Sequence, residues 1–237
     1  MGRQKSVAKK RAQFSHAESH FKLDGIIPLT PNQEKTFKEY SEDNHLFLHG
    51  VAGTGKTYIS CYLAMTELMQ PRPTYKNLTL VRSVVPTRDI GFLPGNEDEK
   101  AEVYEAPYKS IFNELFRRGD AYTLLRKKSV VDFKTTSYIR GMTLNDTIVI
   151  VDECQNLSFH ELDSVITRIG DNCKIIFCGD FRQSDFNKSN EKNGINIFMD
   201  IIKNLQDISF IEFDEEDIVR SEFVKSYIIQ KLKMGLV

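Results

Sequence analysis

Residues 50–57 place glycine, lysine and hydroxyl side chains at a spacing suited to holding a polyphosphate. Their sequence, GVAGTGKT, fits the pattern G-x-x-x-x-G-K-[S/T]. The glycines let the backbone curl, so that successive N–H groups point at the phosphates. Lys56 is then expected to reach the β- and γ-phosphates, and the Thr57 hydroxyl to ligate Mg²⁺. The predicted nucleotide-binding residues of this loop are Gly50, Val51, Ala52, Gly53, Thr54, Gly55, Lys56 and Thr57.

The elements around this loop support the same interpretation. Residues 45–49 have the pattern of a short strand, and residues 58–69 have helical spacing. The loop is therefore expected at a helix N-terminus, where the helix dipole favours anions. A chance glycine-rich turn is the alternative, but the strand and helix on either side favour a nucleotide such as ATP.

A second group of chemically active residues follows the apolar, β-branched run at 147–151. The run reads as a buried strand and ends in Asp152 and Glu153. We expect Asp152 to hold Mg²⁺, directly or through water, and Glu153 to polarise the attacking water. Acids that merely cap a strand end are the alternative. With a phosphate loop upstream in an alternating β/α chain, the pair predicts ATP hydrolysis.

Two glutamines are further candidates. Gln183 follows the apolar run at 173–178, and it can hydrogen-bond both phosphate and water, so it could report hydrolysis. Gln33 falls in the first turn of a helix with Thr30 as N-cap and Pro31 at the first helical position. Its amide offers the donor and acceptor that an adenine edge requires, although a surface glutamine often has no role.

A glycine- and proline-rich loop follows the predicted strand at 77–83. Loops at the carboxyl ends of parallel strands are where α/β folds place their sites. Arginines beside an exposed aromatic side chain can contact a nucleic-acid backbone and a base, whereas the plain alternative is a loop packed on a helix. The predicted nucleic-acid contacts are Arg82, Arg88, Phe92 and Arg140.

Composition bounds the class of protein. The chain has 237 residues, of which 41% are hydrophobic and 27% charged, as in ordinary globular domains. Its net charge of −1 means that any basic surface must be local. Residues 1–23 are basic and poor in apolar side chains, which predicts a flexible arm, either a nucleic-acid-binding tail or a solvated terminus. Residues 24–237 are expected to form a single domain.

Three features that are missing from the sequence indicate where in the cell the protein is expected. The four cysteines are widely spaced in apolar segments, which favours free buried thiols in a reducing compartment over zinc ligation. No apolar run approaches the length of a membrane span, and the N-terminus lacks the apolar core of a secretory signal. We therefore expect a cytoplasmic protein that does not contact membranes.

The remaining patterns alternate between helix and strand. They predict helices near 99–118, 122–126, 158–169, 194–205 and 222–233, and strands near 129–138 and 208–213. Ser158 and Glu161 form a capping-box pattern at the start of one helix. The alternation predicts an α/β fold with a mostly parallel central sheet.

The ordered motifs resemble the PhoH-like family of phosphate-loop ATPases, which are related to superfamily 1 helicases. They run from LTPNQ through GVAGTGKT, LVRSVVPTRDIGFLPG, YIRGMTL, VDECQN and GDFRQSD to DIVRS, over roughly residues 29–231. The resemblance implies a RecA-like P-loop NTPase fold with three layers, α/β/α. It also implies that Gln183 is the sensor of hydrolysis and that Gln33 is similar to the adenine-reading glutamine of helicases.

By the same resemblance, Arg220 in DIVRS would lie near the γ-phosphate, and in a ring it could serve a neighbouring subunit. RNA or single-stranded nucleic acid, and a homo-oligomer such as a hexameric ring, are the implied partners. The chain departs from the family at Cys154, where Ala or Gly is common. It is also too short for the appended RNase domain of some relatives or for a second RecA-like domain, so processive unwinding by a monomer is not expected.

Three hypotheses remain. In the first, the chain hydrolyses ATP with Mg²⁺ and couples turnover to the binding or remodelling of RNA or single-stranded nucleic acid. In the second, it is a non-motor ATP-binding module whose nucleotide state controls assembly with a protein partner. The third, a small-molecule kinase, is disfavoured because Asp152, Glu153 and Gln183 suit attack by water.

Overall fold

A computed structural model of the chain describes residues 22–83, 97–181 and 189–235. In these ranges six strands form one sheet in the order β3-β2-β4-β5-β1-β6, and every neighbouring pair is parallel. The predicted parallel sheet is therefore confirmed. The strands are β1 His45–Gly50, β2 Asn77–Arg82, β3 Val131–Thr135, β4 Thr147–Val151, β5 Lys174–Gly179 and β6 Ile208–Phe213.

Helices connect the strands, and most lie where their periodicity predicts them. The described helices are α1 Pro31–Ser41, α2 Lys56–Leu68, α3 Glu97–Leu115, α4 Ala121–Lys127, α5 Thr136–Ile139, α6 Phe159–Ile166, α7 Ser189–Lys203 and α8 Glu222–Lys233. A short 3₁₀ turn covers Cys154–Asn156. Strand β6 and helix α8 have the predicted bounds. The capping box of α6 is also confirmed, because Ser158 accepts from the Glu161 N–H and the Glu161 side chain accepts from the Ser158 N–H.

The strand expected at 129–138 is present but shorter, because β3 covers only Val131–Thr135. Strand β3 pairs only with β2, and its Thr135 lies opposite Arg82, where β2 ends. Beyond that point β2 no longer offers a ladder partner to a longer β3, and an unpaired strand gains nothing to offset its ordering. The chain instead turns into α5, and the Thr136 hydroxyl donates to Glu161 Oε1 at 2.8 Å.

Helix α6 is shorter than predicted because its last residues pair elsewhere. It ends at Ile166 rather than 169. Ile169 forms a parallel bridge with Leu144, and the Leu144 N–H donates to the Arg168 carbonyl at 2.8 Å. A tertiary backbone contact therefore replaces the final helical turn.

Two hydrophobic clusters cover the two faces of the sheet. Along β1, Leu46 and Leu48 belong to the cluster beneath α2, α3 and α4, whereas Phe47 belongs to the cluster beneath α6 and α7. Successive strand residues point to opposite faces, so a strand that is apolar throughout must be covered on both. This packing confirms the three-layer α/β/α architecture. Leu23, at the predicted boundary of the arm, packs against the first cluster, and residues 1–21 lie outside the described residues.

All four cysteines are free thiols, and Cys61, Cys154 and Cys178 are buried. Burial raises the pKa of both the Cys61 thiol and the Cys154 thiol well above the ordinary value of a cysteine, so both thiols stay protonated. A Cβ built at Gly179 would lie 2.5 Å from Cys154 Sγ, so there is little room beside this side chain. In the described residues, no helix combines the length and the apolar character needed to cross a membrane.

Replacing Gly50 with Ala is expected to destabilise the fold by about 3 kcal/mol or more, from about 1–3 kcal/mol of backbone strain and a similar cost of overpacking. Gly50 has φ +122°, and an added Cβ would lie 1.9 Å from the Phe213 carbonyl oxygen. Urea unfolding followed by circular dichroism measures the change. Gly25→Ala is the control, because nothing lies within 4 Å of its Cβ position. Equal stability of the two variants would contradict the steric argument.

Candidate nucleotide-binding site

The phosphate loop joins β1 to α2, as its sequence predicts. Gly55 is the N-cap of α2 and adopts a left-handed conformation with φ 82°, which glycine tolerates without strain. The Lys56 ammonium donates to the Gly50 carbonyl at 2.8 Å, the Val51 carbonyl at 2.7 Å and the Thr54 hydroxyl at 3.2 Å. These oxygens of the loop hold the lysine side chain over the loop. Burial lowers the pKa of Lys56.

Thr57 and Asp152 come together although they are far apart in the chain. The Thr57 hydroxyl donates to Asp152 Oδ1 at 2.6 Å, and the Asp152 carboxylate is buried at the end of β4. Hydroxyl and carboxylate oxygens are ligands that Mg²⁺ prefers, and Mg²⁺ sites use one or two carboxylates together with substrate phosphates. This pair therefore offers oxygen ligands of the kind that fit Mg²⁺.

The same carboxylate has a partner that sequence reasoning missed. Tyr108 of α3 donates its hydroxyl to Asp152 Oδ2 at 2.8 Å, and its ring is fully buried. Burial raises the pKa of Tyr108 well above its ordinary value, so the phenol keeps its proton. No pattern around residue 108 signals this contact, because a tyrosine inside an amphipathic helix is ordinarily a core residue.

Glu153 is held in an unusual backbone conformation. Its φ of 51° lies in the left-handed region, which is uncommon for a residue other than glycine and clusters at functional sites. Its carboxylate accepts from Gln155 Nε2 at 2.6 Å, and Gln155 Oε1 accepts from the Asp180 N–H at 3.0 Å. Gln155 thus connects the water-polarising candidate to the end of β5. The sequence singles out this glutamine only as part of the motif VDECQN.

Arg220 lies against the phosphate loop of its own chain. A Cβ built at Gly53 would lie 3.1 Å from Arg220 Cγ, and the Val219 N–H donates to the Gly53 carbonyl at 3.1 Å. Asp217, which is buried, accepts from the Asn32 amide at 2.7 Å and anchors the segment to α1. The C-terminal segment therefore brings a guanidinium group to the loop.

Gln33 is a buried anchor of the phosphate loop. Its Nε2 donates to the Thr54 carbonyl at 3.0 Å, and its Oε1 accepts from the Leu29 N–H at 2.8 Å. Thr30 caps α1 by accepting from the Gln33 N–H, as predicted. Both ends of the amide contact backbone groups, so the structure shows a contact with the loop, and the adenine-reading role stays a prediction.

Two of the four predicted nucleic-acid contacts, Arg82 and Arg140, lie in the described residues. Arg82 is the last residue of β2 and is partly buried, whereas Arg140 is exposed directly after α5. Arg88 and Phe92 lie outside the described residues, and so does the predicted sensor Gln183. The structure thus assembles the phosphate loop with Asp152, Glu153 and Arg220.

This combination of fold and site is that of the RecA-like P-loop fold class. The phosphate loop follows β1, the acidic pair follows β4, and β5 lies between these two strands in the sheet. In open parallel sheets, sites form at the carboxyl ends of strands in this way.

The chain belongs to the PhoH-like protein family, whose model matches residues 25–232. It is 31% identical over 209 residues to a PhoH-like protein of Mycobacterium leprae, covering 85% of this chain and 58% of the relative. It is 32% identical over 200 residues to a PhoH-like protein of Bacillus subtilis, covering 84% of this chain and 61% of the relative. The chain therefore spans about six tenths of the length of these curated relatives.

Comparison with solved structures finds matches at low sequence identity and with TM-scores below 0.5. The large terminase of a thermophilic bacteriophage, in complex with ADP, is 13% identical, with a TM-score of 0.47, covering 84% of this chain and 49% of the terminase. Unliganded Pif1 from Bacteroides is 14% identical, with a TM-score of 0.42, covering 90% of this chain and 47% of that protein.

Proposed function

We propose that this PhoH-like chain binds ATP with Mg²⁺ and hydrolyses it. The observation that carries the proposal is the hydrogen bond between Thr57 and Asp152, with Glu153 next to Asp152. It brings the end of the phosphate loop to the strand end that bears the acidic pair, which is the arrangement that phosphoryl transfer to water needs.

Each side chain has a distinct role in this proposal. Lys56 neutralises the β- and γ-phosphates, and the loop N–H groups orient them. Thr57 and Asp152 hold Mg²⁺, which when bound neutralises charge on the phosphates. Glu153 orients the attacking water and accepts its proton. Arg220 stabilises the charge that develops on the transferred group.

We further propose that turnover is coupled to RNA or single-stranded nucleic acid. Arg82 and Arg140 support this, because they lie at or after the carboxyl ends of the parallel strands β2 and β3, where α/β folds place their sites. A cytoplasmic location is part of the proposal and is supported by the free thiols.

Self-assembly into a homo-oligomer, such as a hexameric ring, is also part of the proposal. Helix α8 follows Arg220 in the chain, and none of its residues is buried. Phe223 is 82% exposed and Tyr227 is 64% exposed, on adjacent turns of the helix. This apolar surface supports contact with a second copy.

Phosphate release from ATP, with and without single-stranded RNA, tests the proposal. We expect RNA to raise the rate of phosphate release severalfold. Lys56→Ala is expected to abolish nucleotide binding and turnover, because the lysine neutralises the β- and γ-phosphates. Lys127→Ala, which replaces an exposed lysine at the end of α4, is the matched control and should keep the activity.

Other outcomes separate the alternatives. Tight binding with negligible turnover, and a mass in solution that depends on ATP, would indicate the non-motor module instead. A phosphorylated acceptor in place of free phosphate would indicate a kinase. Turnover that no nucleic acid stimulates would overturn the nucleic-acid part alone.

A further inference from the structure

Tyr108 is the one residue of α3 that the described contacts connect to the acidic pair. It lies in the hydrophobic cluster beneath α2, α3 and α4, where its ring packs against Phe133 with ring centroids 5.9 Å apart. This packing leaves the ring little freedom, so the position of its hydroxyl is set by the core.

The two oxygens of Asp152 receive different donors. Thr57 donates to Oδ1 at 2.6 Å and Tyr108 donates to Oδ2 at 2.8 Å. The donor on Oδ1 is itself a candidate Mg²⁺ ligand, whereas the donor on Oδ2 comes from the core. The pair of hydrogen bonds therefore sets the rotation of the carboxylate and directs Oδ1 toward Thr57. Partners of this kind orient metal ligands, and their removal costs about 10–100-fold in metal affinity or activity.

We propose that Tyr108 is a positioning residue for Mg²⁺, which holds the Asp152 carboxylate in the orientation that presents Oδ1 beside the Thr57 hydroxyl. The inference rests on the proposed function, because it requires that Thr57 and Asp152 hold the metal with the nucleotide. It assigns Tyr108 no contact with the nucleotide or with water.

Tyr122 provides a matched control. Like Tyr108 it is buried, it belongs to the same hydrophobic cluster, and its hydroxyl donates to a carboxylate, Glu105 Oε2, at 2.6 Å. Tyr108→Phe and Tyr122→Phe each remove one buried hydroxyl that donates to a carboxylate. Only the first of these carboxylates belongs to the nucleotide site.

The experiment measures binding of a fluorescent ADP analogue as Mg²⁺ is titrated, and again in EDTA. We expect Tyr108→Phe to raise the Mg²⁺ concentration for half-maximal binding by about 10-fold and to leave the affinity in EDTA unchanged. Tyr122→Phe should change neither value. In an Asp152→Asn background, Tyr108→Phe should have no further effect on the Mg²⁺ dependence, because the carboxylate it orients is gone.

Three outcomes would overturn the inference. One is an unchanged Mg²⁺ dependence in Tyr108→Phe, and another is an equal shift in Tyr122→Phe. The third is loss of affinity in EDTA as well, which would assign Tyr108 to the structure of the loop. Absence of ADP binding by the unaltered protein would instead overturn the proposed function, and the inference with it.

Discussion

Replacing Glu153 with Gln is expected to slow ATP hydrolysis by about 10²–10⁴-fold, the range for loss of a general base. The amide keeps the size of the side chain and an oxygen that accepts from Gln155, but it cannot take a proton from water. Affinity for the nucleotide should change by less than about 3-fold, since the phosphate contacts come from the loop. Single-turnover phosphate release measures the first quantity, and binding of a fluorescent ATP analogue measures the second.

Glu102→Gln is the matched control for this experiment, because Glu102 is an exposed acid on α3. It should hydrolyse ATP at the normal rate. A Glu153→Gln variant that hydrolyses ATP at nearly the normal rate would contradict the assigned role and favour Glu153 as a structural cap of its strand. A variant that loses binding would place Glu153 in the binding of nucleotide instead.

Replacing Arg220 with Ala is expected to lower the rate of hydrolysis by about 10³-fold, the lower end of the effect known for arginines that stabilise phosphoryl transfer. The arginine lies against the phosphate loop at Gly53, and the family resemblance implies that its charge lies near the γ-phosphate. Multiple-turnover kinetics measure the loss, and Arg220→Lys tests whether charge alone suffices. A rate within about 3-fold of normal would contradict the role.

Mixing two inactive variants decides which subunit the arginine serves. Since Arg220 contacts Gly53 of its own chain, a mixture of Arg220→Ala and Lys56→Ala chains should show no more activity than the separate variants. Recovery of activity in the mixture would show that Arg220 acts on a neighbouring subunit, which is the arrangement that the family resemblance suggests for rings.

Local patterns predicted much of the fold. An apolar β-branched run such as β4 has no exposed face in the sequence, which indicates a strand covered on both sides. The bounds of β6 and α8 follow from local periodicity. Prediction failed where pairing decides an element's length, because the end of β3 depends on where β2 ends.

The amino-acid sequence by itself determined the phosphate loop and the acidic pair, since both depend on residues that are adjacent in the chain. Only the tertiary structure decided how they are held. The contacts of Tyr108 with Asp152 and of Gln33 with Thr54 join residues 44 and 21 positions apart, so no local spacing reveals them. The core packing that brings such distant groups together depends on the fold as a whole, and it sets the geometry from which the proposed chemistry follows.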